Sequence, residues 1–565
     1  MKWRLKIAGL TFLGVVLLVL GRLFYWQIIR GEELQTSARN QYMSGSRILA
    51  KRGGILSSSG DWLVSSADSF LMYAQMTEIT DDARTIANKL APLLVDDPSD
   101  KQNLLQKAME LEAALLRVDV VWLPLARKLN SVTKRNIEAL AIRGIGFDLE
   151  EARVYPEASS SAHVLGFVGK SDEGRDQGYF GLEGYYDLLL AGTNGYLERE
   201  SSAIGMPLLT GEERGTSALG GVNLITHINK SIQLLIERRL VNGIEKYEAV
   251  SGNVIVIDPE TGGIIAMAAY PSYDPGKYFE YGDMYFKNPI ISDAFEPGSI
   301  LKPVIMVAGL DSGEVSPETK CDICDKPLKI DKYEIGTWNN EYHADSTMAE
   351  VIQHSDNVGM AFVGQKLGAD RMYDYLKNFG FGSLTDIDLQ GEASPKIRER
   401  GKWGDVDVAT ASFGQGIAVT PVQMVMAITA IARDGVMITP QVVGKLSQGD
   451  WEENIELKVG ERVISEKAAN EITQMMVTAA SEGEAKWTAD VKLKVAGKTG
   501  TAQIPVAGHY DDEKTIASFV GFAPYDQPKF VMLVTLREPQ SSPWASETAA
   551  PLWYGIAKEM MRYLD

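Results

Sequence analysis

The chain has 565 residues, of which 45% are hydrophobic and 23% are charged. These values are ordinary for globular proteins, and they exclude a collagen-like chain, an acidic disordered tail and a small disulfide-stapled protein. The formal net charge of −19 argues against a nucleic-acid-binding protein, which needs a basic face for phosphates. At about 150 residues per domain, the length indicates about three or four structural units.

The first segment, residues 1–30, predicts a short cytoplasmic end and a transmembrane anchor. It holds five basic residues and no acidic one, a charge of +5. Because the whole chain has a net charge of −19, the remaining residues carry −24. Residues 7–29 are long enough to cross about 30 Å of hydrocarbon as a helix. Leu-Phe-Tyr-Trp follows where a cleavable signal peptide has small residues. We therefore expect a single-pass anchor with the N-terminus inside and residues 31–565 outside the cytoplasmic membrane.

Residues 31–225 predict a unit without catalytic residues, since no cluster of titratable side chains occurs there at catalytic spacing. Residues 31–50 have the composition of a polar, helix-prone stalk. Residues 51–66 predict two short strands around a serine-rich turn. Residues 80–142 are dominated by helical patterning, with Leu104, Leu105, Ala108, Leu111 and Leu115 expected on one side of a helix. Residues 143–225 predict short strands separated by glycines.

Residues 226–565 predict a larger α+β unit. Thr420-Pro421-Val422-Gln423 has the pattern of a helix start, with threonine as the N-cap and proline at the first helical position. Helical patterns occupy residues 231–246, 299–311, 346–380 and 546–563. Strand-like runs occupy residues 252–269, as a hairpin, and residues 491–502, 515–522 and 529–536. Strands at both ends of a helical middle favour helices packed on an antiparallel sheet.

The two cysteines of the chain, Cys321 and Cys324, stand in the sequence Cys-Asp-Ile-Cys. A zinc site needs two more ligands, and His343 is the one nearby candidate, so we expect no metal here. An oxidising compartment would allow a local disulfide. The interpretation that we favour is a loop pair without a catalytic role.

The first chemical motif is Ser299-Ile300-Leu301-Lys302, which follows Phe295-Glu296-Pro297-Gly298 at the start of a predicted helix. Three residues are almost one helical turn, so Lys302 would share a face with Ser299. A serine hydroxyl is a weak nucleophile until a base takes its proton, and a lysine can do so if its pKa is lowered. The alternative is that Ser299 is a helix N-cap. Ser131-Val132-Thr133-Lys134 has the same spacing, and we interpret it as a solvated helix edge.

The second motif is Ser355-Asp356-Asn357, and its alternative interpretation is a turn or a helix cap. A serine hydroxyl can relay a proton to a leaving amine, and an asparagine amide can orient both a lysine and a substrate carbonyl.

The third motif is Lys498-Thr499-Gly500-Thr501, on a strand of edge type. Its glycines allow the backbone of a ligand to approach closely. Lys498 supplies positive charge, and the hydroxyls of Thr499 and Thr501 can hold a carboxylate. A backbone N–H of this strand could complete an oxyanion hole with that of Ser299.

The three motifs in this order resemble the motif set of penicillin-binding proteins and serine β-lactamases. The first half is similar to the non-catalytic pedestal of class B penicillin-binding proteins, which extends the resemblance over nearly the whole chain. The segments that carry this similarity are Arg52-Gly53-Gly54-Ile55, Arg153-Val154-Tyr155-Pro156, His163-Val164-Leu165-Gly166 and Gly181-Leu182-Glu183-Gly184-Tyr185-Tyr186. Residues 353–359 and 517–523 look most like the division type. The chain departs from the pattern at Ser57, Ser58, Asn229, Ile300 and Leu301.

The resemblance implies an α+β architecture in three parts. An N-terminal anchor (residues 1–30) would precede an elongated pedestal of dimerisation type (residues 31–225). The transpeptidase domain (residues 226–565) would have an antiparallel sheet flanked by helices, as in serine β-lactamases. The implied reaction is peptidoglycan D,D-transpeptidation during septal wall synthesis, through a serine acyl-enzyme and without a metal or an organic cofactor.

The resemblance also assigns roles by position. Ser299 would attack the carbonyl between two D-alanines, Lys302 would take its proton, and Ser355 would pass a proton to the leaving amine. Asn357 would hold Lys302 and the substrate amide, and Lys498 would keep the site positive. The residues expected to bind substrate are Asp356, Thr499, Gly500 and Thr501.

The implied partners are stem peptides that end in D-Ala-D-Ala, β-lactams, the cytoplasmic membrane, a membrane glycosyltransferase and other division proteins, but no nucleic acid. A β-lactamase would be about half this length, and a class A protein would add a glycosyltransferase domain. Two alternatives stay open. One is a class B transpeptidase of the elongation type, and the other is a β-lactam-binding scaffold or sensor without catalysis.

Overall fold

The computed structural model describes residues 2–95, 97–200, 213–506 and 509–564. Its helices lie in the N-terminal segment, over the first-half sheet and around the second-half sheet. The helices are α1 (Lys2–Phe24), α2 (Gly31–Tyr42), α3 (Ala83–Leu94), α4 (Lys101–Leu115), α5 (Ser131–Glu138), α6 (Ala162–Leu165), α7 (Gly181–Tyr185), α8 (Asp187–Ala191), α9 (Lys230–Tyr247), α10 (Pro289–Ser292), α11 (Lys302–Asp311), α12 (Met348–Gln353), α13 (Asn357–Leu367), α14 (Ala369–Asn378), α15 (Asp405–Ser412), α16 (Pro421–Ala432), α17 (Glu466–Glu482) and α18 (Ala549–Met560).

Runs of strands and runs of helices follow one another through the described ranges, which form a mixed α+β protein. They are β1 (Met43–Ile48), β2 (Ile55–Leu56), β3 (Trp62–Gln75), β4 (Trp122–Leu129), β5 (Ile145–Val154), β6 (Phe167–Lys170), β7 (Asp176–Tyr179), β8 (Gly195–Glu200), β9 (Glu213–Thr216), β10 (Asn223–Thr226), β11 (Ser251–Ile257), β12 (Ile264–Tyr270), β13 (Leu328–Ile330), β14 (Tyr333–Ile335), β15 (Val436–Ile438), β16 (Val443–Gln448), β17 (Trp451–Asn454), β18 (Val459–Arg462), β19 (Ala496–Val506), β20 (His509–Ala523) and β21 (Phe530–Arg537).

One compact unit consists of Met1–Arg52 and Ala191–Gly221. Its N-terminal helix and the π-helical turn that follows form a continuous segment, Lys2–Ile29, that is long and apolar enough to cross a membrane. No other helix in the described ranges has both properties. The predicted stalk, residues 31–50, is helical in α2 and continues as the strand β1. This strand pairs with β8, and β8 pairs with β9.

The second unit consists of Gly53–Leu190 and Val222–Asp565, and it contains the antiparallel sheet predicted for the second half. The strand order is β12-β11-β21-β20-β19, which leaves β19 at an edge. Alternate residues of β11 face opposite sides. Val254 and Val256 belong to the cluster that includes α9 and α18, whereas Ile255 and Ile257 belong to the core around α11, α13, α16 and α17. The sheet is therefore buried between two helical layers.

The sequence prediction for β19 was wrong at its start. The strand begins at Ala496, whereas a short 3-10 turn, Val491–Leu493, occupies the positions before it. Asp490 caps that turn by accepting a hydrogen bond from the backbone N–H of Lys492. The apolar residues of the turn resemble those of a strand, so the sequence pattern did not separate the two structures. The hydrogen bond to the Asp490 carboxylate favours the turn over the strand.

A second sheet in this unit has the order β17-β16-β10-β2-β3-β4, and β5 also pairs with β3. The helical prediction for residues 80–142 missed β4, whose Leu123 and Leu125 alternate with exposed residues at the period of a strand. It also grouped Leu105 with the apolar residues on one side of α4, whereas that side chain is 63% exposed. Ala108, Leu111 and Leu115 are buried in agreement with the prediction, and Leu104 is half-buried.

A buried ion pair joins separate segments of the first half. The guanidinium of Arg153 donates to Glu183 Oε1 through Nε at 2.8 Å and through Nη2 at 2.6 Å. The same group donates to the carbonyl of Gly53 at 2.9 Å and to Ser66 Oγ at 2.8 Å. Both side chains of the pair are almost fully buried, at 4% and 0% exposed. The pair therefore fixes β5, α7 and the start of β2 against one another.

We expect Glu183→Gln to lower the free energy of unfolding by about 3 kcal/mol or more, because it leaves the Arg153 charge buried without a counter-ion. Thermal unfolding of the detergent-solubilised full chain measures the effect as a loss of several degrees in Tm. Asp119→Asn, in the exposed pair of Arg117 and Asp119, is the control and should leave Tm unchanged. An unchanged Tm for Glu183→Gln would show that the buried pair is not a major source of stability.

Candidate active site

Ser299 lies in a 3-10 turn, Gly298–Leu301, that runs directly into α11. Its side chain makes no helix-capping hydrogen bond, so the N-cap interpretation of this serine is wrong. The turn depends on Gly298, whose φ of 55° lies in the left-handed region, and whose N–H donates to the carbonyl of Gly414 at 3.0 Å. The loop around Gly414 therefore holds one side of the serine turn.

The edge strand β19 holds the other side of the serine turn. A Cβ placed on Gly500 would lie 2.8 Å from Ile300 Cγ2 and 3.0 Å from the backbone nitrogen of Ile300. Only a glycine allows the strand to come this close to the residue that follows Ser299. The sequence predicted that the glycines of this strand let a ligand approach, whereas the structure shows Gly500 used for the packing of β19 on the serine turn.

Lys302 is fully buried at the first position of α11. Its Nζ donates to the carbonyl of Ser355 at 2.6 Å, to Ser355 Oγ at 3.2 Å and to Asn357 Oδ1 at 2.7 Å. Burial and the nearby charge of Lys498 lower the pKa of Lys302 to about 7. At neutral pH this amine can therefore accept a proton as well as release one.

Ser355 and Asn357 are placed by the junction of α12 and α13. Ser355 has a φ of 58°, a left-handed conformation that costs a non-glycine residue about 1 kcal/mol or more. This conformation presents both its carbonyl and its hydroxyl to Lys302. Asn357 Nδ2 donates to the carbonyl of Gly336 at 3.1 Å, which orients the amide so that its oxygen faces the lysine.

Asp356 caps α13 and does not line the cleft of Ser299. Its Oδ1 accepts hydrogen bonds from the backbone N–H groups of Val358 at 2.7 Å and Gly359 at 3.1 Å. The side chain is buried, and it borders a neighbouring cleft that also includes Thr337. The helix-cap interpretation of the second motif therefore holds for Asp356, while its two neighbours contact Lys302.

Lys498 is buried on β19 and faces the same region of the core as Lys302. Its Nζ donates to the carbonyl of Thr499 at 3.2 Å and to Thr499 Oγ1 at 3.1 Å. Burial lowers the pKa of Lys498, and Glu484 opposes that shift. The hydroxyl of Thr499 in turn donates to Glu484 Oε2, and Thr501 Oγ1 accepts from the backbone N–H of Ala545 at 3.1 Å.

One cleft brings together residues from all three motifs. Ser299, Ser355, Asn357 and Thr501 line it, whereas Lys302 is buried and bonded to Ser355 and Asn357, and Lys498 is buried on β19. The lining residues to which the sequence gave no site role include Trp338, Phe413, Gln415, Glu484, Ala502, Trp544 and Ser546. None of these residues belongs to one of the three catalytic motifs. Their positions follow from tertiary packing, such as the edge-to-face contact of Trp338 and Trp544 at 5.3 Å.

Cys321 and Cys324 form a disulfide and are both buried, in the loop region before α12. The sequence left this local disulfide open as an alternative to a free pair. The backbone N–H of Cys321 donates to the carbonyl of Ser346 at 2.9 Å, which ties the bridged loop to the start of α12. Neither cysteine lines the cleft.

Comparison with known protein families agrees with this constellation. Residues 252–562 match the penicillin-binding protein transpeptidase domain, and residues 47–226 match the penicillin-binding protein dimerisation domain. The chain belongs to the penicillin-binding protein transpeptidase family. The resemblance inferred from the three motifs is therefore confirmed, together with the α+β fold that it implied.

Individual relatives align over almost the whole chain. Stage V sporulation protein D of Bacillus subtilis (strain 168) is 28% identical over 99% of this chain and 85% of its own length. The peptidoglycan D,D-transpeptidase FtsI of Escherichia coli (strain K12) is 27% identical over 100% of this chain and 92% of its own. The crystal structure of penicillin-binding protein 2X from Streptococcus thermophilus superposes with a TM-score of 0.73, at 25% identity over 92% of this chain and 80% of that one.

We expect the rate of acylation by penicillin to rise with pH and to level off above about pH 7. The pKa of Lys302 is lowered to about 7, so below this pH the amine is protonated and cannot act as a base. The rate at about pH 6 should be about one tenth of the plateau. We call the range over which the rate rises with pH the acid limb of the profile. Stopped-flow labelling of the full chain with a fluorescent penicillin, between about pH 5.5 and about pH 8.5, measures this limb. A rate that is flat over the range would contradict the assignment of Lys302.

Proposed function

We propose that the chain is a peptidoglycan D,D-transpeptidase that cross-links stem peptides through an acyl-enzyme on Ser299. The observation that carries the proposal is the hydrogen-bonded set of Lys302, Ser355 and Asn357 in the wall of the cleft that Ser299 lines. Membership in the transpeptidase family supports the same reaction. The named relatives support the substrate, because the Escherichia coli protein is called a peptidoglycan D,D-transpeptidase.

In the proposed first step, Ser299 Oγ attacks the carbonyl carbon between the two D-alanines, and Lys302 takes the hydroxyl proton. A base with a pKa near neutrality is suited to this role, because a large share of it is neutral before the reaction and it can hold the proton afterwards. The backbone N–H groups of Ser299 and of β19 are the candidate donors to the oxyanion.

In the second step the tetrahedral intermediate breaks its C–N bond and releases D-alanine. The proton that the leaving amine needs can pass from Lys302 through Ser355, whose Oγ lies 3.2 Å from the lysine Nζ. The amine of a neighbouring stem peptide then attacks the ester, its proton returns through the same groups, and Ser299 is regenerated. The reaction balances without a metal or a redox cofactor, since one amide bond is exchanged for another.

The remaining motif residues have proposed supporting roles. Lys498 supplies positive charge for the terminal carboxylate of the donor, and Thr499 and Thr501 supply hydroxyls beside it. Gly500 permits the approach of β19 to the serine turn. For Asp356, whose carboxylate caps α13, we propose an indirect role in which it holds Ser355 and Asn357 in place.

We infer a division role, with the anchor inserted N-terminus inside and the catalytic part outside the cytoplasmic membrane. The basic residues before the apolar helix favour this orientation. The division role rests on the sequence segments 353–359 and 517–523 and on the similarity to FtsI and to stage V sporulation protein D. It implies association with a membrane glycosyltransferase and other division proteins.

A fluorescent penicillin should label the wild-type chain covalently and should fail to label Ser299→Ala. Ser131→Ala is a matched control, because Ser131 belongs to a second Ser-x-x-Lys sequence on the exposed start of α5. This variant should be labelled like the wild type. Gel fluorescence of the detergent-solubilised proteins measures the label, and unfolding curves show that each variant is folded. Labelling of Ser299→Ala would rule out the assigned nucleophile.

A fluorescently tagged full chain should concentrate at the septum of dividing cells of its host. The proposal of a division role predicts this pattern, since septal wall synthesis takes place there. Uniform staining of the side wall, with no septal band, would instead support the elongation alternative. The penicillin-labelling result is independent of this outcome.

A further inference from the structure

Glu484 lies in the cleft beside the third motif, although no motif contains it. It follows the end of α17 and borders both the cleft of Ser299 and the neighbouring cleft. The residue before it, Gly483, is packed so tightly that a Cβ there would lie 2.3 Å from the carbonyl oxygen of Ala479 and 2.7 Å from that of Gln353. The chain turn that presents Glu484 is therefore fixed against the end of α12, just before the second motif.

The hydroxyl of Thr499 has one hydrogen, and the structure shows where it goes. Lys498 Nζ donates to Thr499 Oγ1, so the hydroxyl acts as an acceptor toward the lysine. The same hydroxyl donates its hydrogen to Glu484 Oε2. The direction of donation is thus from Lys498 through Thr499 to Glu484. While the Glu484 carboxylate is in place, Thr499 has no hydrogen left to donate to a substrate carboxylate.

Glu484 is also the carboxylate that acts on both buried lysines. It raises the pKa of Lys302 and that of Lys498, against the lowering by burial. Asp356 also raises the pKa of Lys302, while its carboxylate is bound to backbone N–H groups of α13. The other charged or titratable groups that border the neighbouring cleft are Glu341, His343, His354, Glu482 and Lys486.

We propose that Glu484 is a positioning residue that accepts the hydrogen bond of the Thr499 hydroxyl and serves as the counter-charge of the Lys302–Lys498 pair. This inference rests on the proposed acyl transfer at Ser299. It has a consequence for binding, because the carboxylate of the acyl donor must compete with Glu484 for the Thr499 hydroxyl. Binding of the donor therefore breaks the Thr499–Glu484 hydrogen bond and adds the carboxylate of the donor as a second negative charge beside the lysine pair.

Glu484→Gln keeps the shape of the side chain and removes its charge. With the counter-charge gone, Lys302 loses its proton at lower pH, so the acid limb of the acylation profile should move to lower pH by about half a unit or more. At about pH 6 the variant should reach a fraction of its own plateau rate that is about two to three times that of the wild type, or more. Glu484→Asp keeps the charge and should retain a limb near that of the wild type.

Two further variants separate the charge from the hydrogen bond. Thr499→Val removes the hydroxyl and leaves Glu484 charged, so its plateau should fall while its limb stays near the wild-type position. Glu482→Gln is the matched control, because Glu482 is exposed and borders only the neighbouring cleft. Its limb and plateau should equal those of the wild type.

The proposal is overturned if the limb of Glu484→Gln stays in place, whether or not the plateau rate or Tm falls. It is overturned equally if Glu482→Gln moves the limb as far. If Glu484→Gln does not fold, the limb of Glu484→Asp decides, and a shift comparable to half a unit or more would contradict the role of the charge. Failure of the proposed function looks different, since penicillin would then label Ser299→Ala or would not label the wild type.

Discussion

The site depends on the burial of two lysine side chains in one region of the core. Lys302 and Lys498 are 0% and 2% exposed, and an ammonium group that is removed from water must be compensated by hydrogen bonds or lose its proton. The protein does both. Lys302 has three oxygen acceptors, and its pKa is lowered to about 7. A base that works at neutral pH is thus a direct result of where the chain places this side chain.

The backbone around the two lysines is arranged to bury them and to provide their hydrogen-bond acceptors. Ser355 takes up a left-handed backbone conformation so that its carbonyl can accept from Lys302, and the cap that Asp356 provides to α13 holds that junction in place. Gly500 lets the strand with Lys498 pack directly on the serine turn. The strain at Ser355 and the close packing at Gly500 are stabilised by the helical layer and the sheet, which are largely apolar and buried.

Local patterns predicted much of the fold and the chemistry of the three motifs. The start of α16 is a clear case, because the side chain of Thr420 accepts from the N–H of Gln423 and the side chain of Gln423 accepts from that of Thr420, as the sequence indicates. Asn229 departs from the family pattern, yet its side chain accepts from the N–H groups of Ser231 and Ile232 at the start of α9. The cap is therefore kept with a different residue.

Features that depend on distant contacts could not be predicted in this way. Nothing near Glu484 in the sequence indicates that it lies beside Thr499, since the contact forms only when the end of α17 packs against β19. For Asp356 the sequence predicted substrate binding and kept a helix cap as the alternative, because a motif shows the order of residues but not which side chain the following helix uses as a cap. The strand β4 was missed because its period of two covers only a short stretch between longer helical patterns.

The central claim is that Lys302 is an amine with a pKa near neutrality, and its protonation can be measured directly. Nuclear magnetic resonance of the full chain in detergent, labelled with ¹³C at the lysine ε-carbons, reports the charge of each amine as the pH changes. The Lys302 signal is identified by its loss in Lys302→Arg. We predict that this signal titrates with a midpoint at about pH 7. A signal that stays at the protonated position to above about pH 9, as for an ordinary lysine, would contradict the account.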